Sequence, residues 1–321
     1  MHFDFNFNSN SNSKIKIFSG TSNITLAKKI ASGLKLDLSK IEISKFQDGE
    51  ISVLIKENLN GCHCFVVQSI CNPVNDNLIE FLIIVDALKR AHAKKITAVI
   101  PYLGYSRQDR KCRLGEPISA KLIANMISNS GIKDIIIADL HASQIEGFFD
   151  IPVSNISNLE NFIEDIKKIQ DFNPENFVIV APDVGAAKKT RAFAKILNCN
   201  IAIIDKNRSK ANCSEVMNII GDVKNKNAVL IDDIIDTAGT ISNAAEALIK
   251  IGKAKKIYIY ATHAVCSGKA FERLSSEFIN QVVFSDTIPI LDKNNFNKFN
   301  KNIKIISMSN ILISEILKFI D

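Results

Sequence analysis

Three carboxylates, Asp232, Asp233 and Asp236, close the apolar run Ala228-Val229-Leu230-Ile231, and Thr237-Ala238-Gly239-Thr240 follows at once. The run reads as a buried strand. The residues after Gly239 (ISNAAEALIKIG) bring apolar side chains back at helical spacing and stop at Gly252. The acids and the threonine turn therefore fall between a strand and a helix, where open α/β sheets bind their ligands. Turn amides and threonine hydroxyls at a helix N-terminus suit a phosphate, and Gly239 lets the backbone come close. Acids beside a phosphate repel it unless they face something else, and ribose hydroxyls and a divalent cation meet that need. The plainer alternative is a solvated acidic strand end with an N-capping Thr or Asp.

Other stretches carry complementary chemistry. His141 in DLHA and Asp183 in APDVG each end an apolar run. In a chain that already calls for a cation they are candidate magnesium ligands, because Mg2+ takes few protein ligands and leans on waters and substrate phosphates. IDKNRSKANCSE (204–215) leads Lys206, Arg208 and Lys210 out of an apolar strand. That is either a solvated basic loop or a lid that brings cations to a charged transition state. YLGYSRQDRKCRLGEPIS (102–119) crowds Arg107, Arg110, Lys111 and Arg113 beside Tyr102 and Tyr105. Planar donors of this kind suit a nucleoside triphosphate. FQDGE (46–50) sets the Phe46 ring next to Asp48, Gly49 and Glu50, able to cover a base and hydrogen-bond its edge.

The elements that must position these residues alternate. Strand-like KIKIFSG, CFVVQSI, ITAVIPYL and DIIIADLH are interleaved with helical runs, and NFVIVAPD, NIAIIDK, NAVLIDD, KIYIYATHAV and QVVFSDTI repeat the habit before a final helix near 310–320. The expected class is α/β, with mostly parallel sheets flanked by helices. IEISKF and ISVLIKE flank an Asp-Gly turn signal and read as a hairpin flap in the first half. A two-stranded ribbon is marginal alone in water, so a neighbouring subunit is expected to give it a surface. Periodicity fades in IPVSNISN, which sets the expected domains at 14–155 and 156–321. The leader 1–13 (MHFDFNFNSNSNS) lacks both a basic n-region and an apolar core and reads as disordered.

Composition removes several classes. No run approaches a membrane span. A net charge of +6 spread along the chain is too mild for a nucleic-acid surface and suits phosphate-rich small substrates. Seven irregularly spaced cysteines suggest reduced thiols and a cytoplasmic protein. Cys62-His63-Cys64 is a poor metal motif, since alternate strand residues face opposite ways.

In this order, FQDGE, QSICNPVNDNL, AVIPYLGYSRQDRK, ADLHASQIEGFFDIPV, APDVG, IDKNRSKAN, IIGDV, VLIDDIIDTAGT and YATHAVCSG resemble the ribose-phosphate pyrophosphokinase (PRPP synthetase) family, from about Lys14 to the C-terminus. VLIDDIIDTAGT alone indicates only a phosphoribosyltransferase-like fold, whereas RQDR, DLHA and IDKNR select the synthetase. The resemblance implies two similar phosphoribosyltransferase-like domains and transfer of a diphosphoryl group from ATP to ribose 5-phosphate. It implies ATP contacts at Phe46, Asp48, Gly49, Glu50, Arg107 and Gln108, and magnesium at His141 and Asp183. It implies catalytic cations at Lys206 and Arg208, and ribose 5-phosphate at Arg208, Asp232, Asp233, Asp236, Thr237, Ala238, Gly239 and Thr240. It also implies a homo-oligomer, a hexamer. The family's loop commonly reads Lys-Arg-Arg-Pro. Here Lys206-Asn207-Arg208-Ser209 keeps both catalytic cations and loses one charge and one proline. Ala238, where the family usually has Gly or another small residue, is expected to be harmless. A non-catalytic regulatory subunit or a PRPP-consuming transferase are the competing readings; the first should lose loop cations and the second lacks the first-half ATP signals.

Overall fold

The computed structural model describes residues 14–207, 216–290 and 293–320. They form two α/β units, one running to Ile156 and resuming at Ser309, the other spanning Ser157–Met308. In the first unit the order is β1 (Ile15–Ser19), α1 (Ile24–Gly33), β2 (Ile41–Lys45), β3 (Ile51–Ile55), β4 (His63–Val67), α2 (Val74–Arg90), β5 (Lys95–Ile100), α3 (Ser119–Ser128), β6 (Asp134–Ala138) and β7 (Val153–Ile156). Among the described residues the sheet is β1-β4-β5-β6-β7, every neighbour parallel. The second unit comprises α4 (Leu159–Lys167), β8 (Phe177–Ala181), α5 (Ala187–Leu197), β9 (Asn200–Asn207), β10 (Val216–Ile220), β11 (Asn227–Ile235), α6 (Gly239–Lys250), β12 (Lys256–Ala264), α7 (Ala270–Leu274), β13 (Gln281–Ser285), α8 (Lys293–Phe299) and β14 (Ile303–Ile306). Among the described residues its sheet runs β10-β9-β8-β11-β12-β13-β14, antiparallel only between β9 and β10.

Strand alternation explains why the central strands are apolar throughout. In β11, Ala228 and Leu230 join a cluster with Ile241, Ala244, Ala245 and Leu248 of α6. Val229 and Ile231 join one with Phe162 of α4 and Phe193 of α5 on the other face. A parallel sheet covered on both faces gives continuous apolar runs rather than alternation, and each fully buried Leu, Ile or Phe contributes about 1.5–3 kcal/mol.

Two expectations change at this level. The final helix α9 (Ser309–Leu317) belongs to the first unit and not to the second. Its seat is α1, where bare Gly33 makes room: a Cβ there would lie 2.2 Å from Ile313 Cδ1. The hairpin is present as the ribbon β2–β3, registered from Ile41↔Ile55 to Lys45↔Ile51. Its support comes from its own unit, because Ile41, Ile43, Val53 and Ile55 pack against the core cluster that contains Phe81 and Val85 of α2. Lys45 also reaches Asp76 at the start of α2, at 2.5 Å. The packing argument for a neighbouring subunit therefore falls. No helix among the described residues is long and apolar enough to cross a membrane.

Candidate functional site

In the second unit, β11 outruns its neighbour. Pairing with β8 stops at Leu230, while pairing with β12 continues to Ile235. Asp232 and Asp233 thus lie within a strand with one flank released, not beyond its end. The gap opens beside the β8–α5 turn, where Asp183 Oδ1 accepts the amide of Ala186 at 3.0 Å. Asp233 donates its amide to Asp232 Oδ1 at 2.9 Å. Burial pushes the Asp232 carboxyl well above the ordinary carboxylate range, the neighbouring Asp233 adds to that, and Asp183 adds a smaller push. These acids are close enough to feel one another, as carboxylates that share a cation must be. Hard oxygen donors are also what magnesium prefers, so Asp183 fits a role as its ligand.

The turn that follows is tight. Ala238 is buried with φ +58°, so its side chain sits in the left-handed region, which costs an L-residue about 1–2 kcal/mol. The expectation that alanine is harmless there misses this strain. Gly239 opens α6. Among the described residues, and apart from its chain neighbours and its own helix backbone, a Cβ on it would come nearest to Arg273 Nη1, at 3.6 Å. The protein's own packing does not require this residue to be bare. Thr237 and Thr240 flank it on the exposed side. Two residues that the sequence reading passed over hold the turn. Ser267 Oγ donates to the Asp236 carboxylate and its amide to the Asp236 carbonyl at 3.1 Å. Arg273 Nη1 donates to the Thr237 carbonyl at 2.7 Å. Ser267 lies in the YATHAVCSG stretch, but nothing in the local pattern marks Arg273.

In the first unit, Phe46, Asp48, Gly49 and Glu50 cap the ribbon and are all exposed. The turn is wider than a two-residue Asp-Gly turn. Phe46 donates its amide to Glu50 O at 2.8 Å, leaving a three-residue tip. Gly49 holds φ +93° there, which a side chain would resist. Arg107 and Gln108 lie on the exposed β5–α3 loop. Gln108 is fixed by Ser119 Oγ, which donates to its Oε1 at 2.6 Å, and by its own amide to Tyr105 O at 3.0 Å. Tyr105 is itself held by a hydrogen bond from its hydroxyl to Asn75. His141 is exposed just after β6. Among the described residues, no group of three or more His, Cys, Asp or Glu is arranged to hold a metal by itself. The backbone of Lys206 pairs with Met217 in the β9–β10 ladder, and Arg208 lies outside the described residues.

Comparison with known proteins bears on both halves. Residues 15–131 match the model of the N-terminal domain of ribose phosphate pyrophosphokinase, and residues 211–321 match that of the phosphoribosyl synthetase-associated domain. The chain is 48% identical over 302 residues to the ribose-phosphate pyrophosphokinase of Fusobacterium nucleatum, covering 94% of each. It is 49% identical over 311 residues to that of Clostridium perfringens, covering 96% of this chain and 95% of the relative. The crystal structure of phosphoribosylpyrophosphate synthetase from Mycobacterium smegmatis superposes with a TM-score of 0.88 at 36% identity, covering 95% of this chain and 98% of that one. With both halves matched and nearly its whole length aligned to these relatives, the chain belongs to the ribose-phosphate pyrophosphokinase family.

Proposed function

We infer that this protein is a ribose-phosphate diphosphokinase, which converts ATP and ribose 5-phosphate to AMP and PRPP and so feeds nucleotide biosynthesis. The observation that carries the sugar-phosphate half is the turn after β11, whose Gly239 is bare without any intramolecular need for it. Amides and hydroxyls of Thr237, Ala238, Gly239 and Thr240 take the 5-phosphate at the start of α6. Asp232, Asp233 and Asp236 face the ribose hydroxyls and the cation associated with them. Phe46, Asp48, Gly49, Glu50, Arg107 and Gln108 hold ATP, the ring against the base and the basic loop on the phosphates.

In the reaction the C1 hydroxyl oxygen bonds to the β-phosphorus of ATP. The bond from that phosphorus to the α,β-bridging oxygen breaks, AMP leaves with that oxygen, and the hydroxyl proton passes to solvent. No covalent nucleophile on the protein is required, because transfer of this kind is mainly positioning and charge neutralisation. Lys206 and Arg208 supply positive charge to the diphosphoryl group as it moves. Asp183 and His141 are each candidate ligands of magnesium, which when bound would neutralise phosphate oxygens. The reading also has the protein working in the cytoplasm as a homo-oligomer, a hexamer, with no nucleic acid or membrane in the reaction.

Purified protein given ATP, ribose 5-phosphate and magnesium should form AMP and PRPP in equal amounts; formation of neither refutes the reading. Lys206→Ala and Arg208→Ala should each reduce kcat by about 10²–10³, the usual loss for one preorganised charge contact, with little change in substrate binding. Near-normal kcat in both would refute the catalytic roles. Light scattering over a dilution series, read beside activity per subunit, tests the assembly.

A further inference from the structure

The turn between β11 and α6 is strained at Ala238 and bare at Gly239, so something outside it must hold its shape. What holds it is the segment after β12. Cys266 donates its amide to Ile235 O at 3.0 Å, and Ser267 donates its amide to Asp236 O at 3.1 Å, so the two segments run together for two residues. Ser267 Oγ then bonds the Asp236 carboxylate. One short helix later, Arg273 Nη1 reaches back to the Thr237 carbonyl at 2.7 Å and lies over the bare face of Gly239.

Arg273 is well placed to act as an anchor. It is exposed itself, but Phe271 and Leu274 on either side are buried, and the Phe271 ring meets Phe296 edge-on with centroids 5.8 Å apart. Asn302 Nδ2 donates to Leu274 O at 3.0 Å and to Ile279 O at 3.2 Å, tying the end of α7 to the segment before β13. The helix beneath the guanidinium is therefore fixed by the core.

The peptide between Thr237 and Ala238 is planar and trans, so its carbonyl and its N–H point in opposite directions. Pinning the Thr237 carbonyl toward Arg273 sets the direction of the Ala238 N–H on the opposite side. An unpinned peptide could rotate and let Ala238 leave the left-handed region, which would relieve its strain and turn that N–H away from its direction.

We propose that Arg273, assisted by Ser267, is the positioning residue of the sugar-phosphate site: it holds the 236–240 turn in its strained, phosphate-ready shape and so determines affinity for the 5-phosphate of the pentose substrate. The proposal rests on the reading that this turn takes ribose 5-phosphate. Arg273 touches the turn and not the reacting atoms, so its loss acts on KM for one substrate.

The test is a steady-state comparison of wild type, Arg273→Ala, Arg273→Lys and Ser267→Ala, with melting temperature measured for each. Arg273→Ala should raise KM for ribose 5-phosphate about 10-fold or more, leave KM for ATP and kcat at saturating sugar phosphate within about twofold, and hold its melting temperature. Free guanidinium at millimolar concentration should recover part of the loss, while sodium chloride at the same ionic strength should not. Arg273→Lys, which keeps the charge but not the planar fork, should fall in between. Ser267→Ala should move the same KM in the same direction by a smaller factor, and it decides the matter if Arg273→Ala does not fold. An unchanged KM for ribose 5-phosphate overturns the proposal, as does a parallel rise in both KM values. A wild-type protein that turns over ribose 5-phosphate keeps the functional reading whatever the variants do. A wild type that binds no ribose 5-phosphate by calorimetry sinks both.

Discussion

After β4, Gln68 and Ser69 turn inward; after Leu230, β11 loses its pairing with β8 and carries acids. The two strands hold matching places: β4 lies beside β1 as β11 lies beside β8, with three more strands beyond each, although β9 and β10 extend the second sheet past β8. Gln68, Ser69, Asn77 and Glu80 are all buried. Glu80 Oε1 accepts the Thr21 amide at 2.6 Å and Gln68 Nε2 at 2.8 Å, and its other oxygen accepts the Thr21 hydroxyl at 2.7 Å. Gln68 Oε1 accepts Ser22 Oγ at 2.7 Å, and Ser22 Oγ accepts the Ser69 amide at 2.9 Å. In the second unit the equivalent stretch carries crowded acids, a strained alanine and a glycine whose Cβ position meets only ordinary contacts. One cluster is satisfied from within; in the other, packing gives no reason for the glycine. The glycines make the contrast local. A Cβ on Gly20 would fall 2.3 Å from Gln68 Oε1 and 2.8 Å from Glu80 Oε1, both locked in hydrogen bonds, whereas one on Gly239 would meet only ordinary contacts.

The largest effect should come from breaking the closed cluster. Gly20→Ala forces Gln68 and Glu80 apart and leaves buried donors unpaired, so we expect a loss of about 2–3 kcal/mol, read as a lower melting temperature. The KM for ribose 5-phosphate of the folded fraction should not move. Gly239→Ala should do the reverse. Its stability should stay within about 0.5 kcal/mol of wild type, with a nearly unchanged melting temperature, while KM for ribose 5-phosphate rises roughly 10- to 100-fold, because about 1.4 kcal/mol is a factor of ten. A melting loss at Gly239, or a KM change at Gly20, would erase the distinction between the two clusters.

The resemblance and the strand–helix alternation made the central strands and the 232–240 turn legible, because a strand buried on both faces must be apolar at every position. The edges were not legible. β7 and β14 are four residues each and only partly buried, so neither forms a run that stands out, and IPVSNISN read as a linker although Val153–Ile156 pairs with β6. Likewise the seat of α9 depends on Gly33 meeting Ile313, and the clamp depends on Arg273 meeting Thr237. Contacts of that kind join residues far apart in the chain and leave no periodic trace. The acids of the turn were found by type, yet their placement inside β11 followed only from where β8 stops pairing.

Two smaller predictions sharpen the comparison through pH. In the second unit Asp232 is raised, by burial first, above the value an unfolded carboxylate has. The folded state then holds its proton more tightly, so its contribution to stability is present below the ordinary carboxylate value and lost as pH rises toward the raised one. Asp232→Asn should flatten that decline and raise the melting temperature at neutral pH, at the expense of activity. In the first unit His63, stacked on Phe65 with centroids 4.2 Å apart and bonded to Thr97 Oγ1 at 2.8 Å, is pushed down to about 4, by burial first and then by the charge of Lys95. Its contribution is present above the ordinary histidine value and lost as pH falls toward 4. Thermal melts from pH 4.5 to 7 should show a smaller acid-side decline in His63→Gln than in wild type. Equal slopes in both proteins would remove His63 from the account.

The return of α9 to the first unit has a consequence for how the chain is made. Domains emerging from the ribosome generally fold in order, N-terminal first. Here the second unit is contiguous and can close as soon as Met308 has emerged, whereas the first needs the last helix of the chain to cover Gly33. The unit synthesised first is therefore completed after the second, because the segment that completes it follows the second unit in the chain.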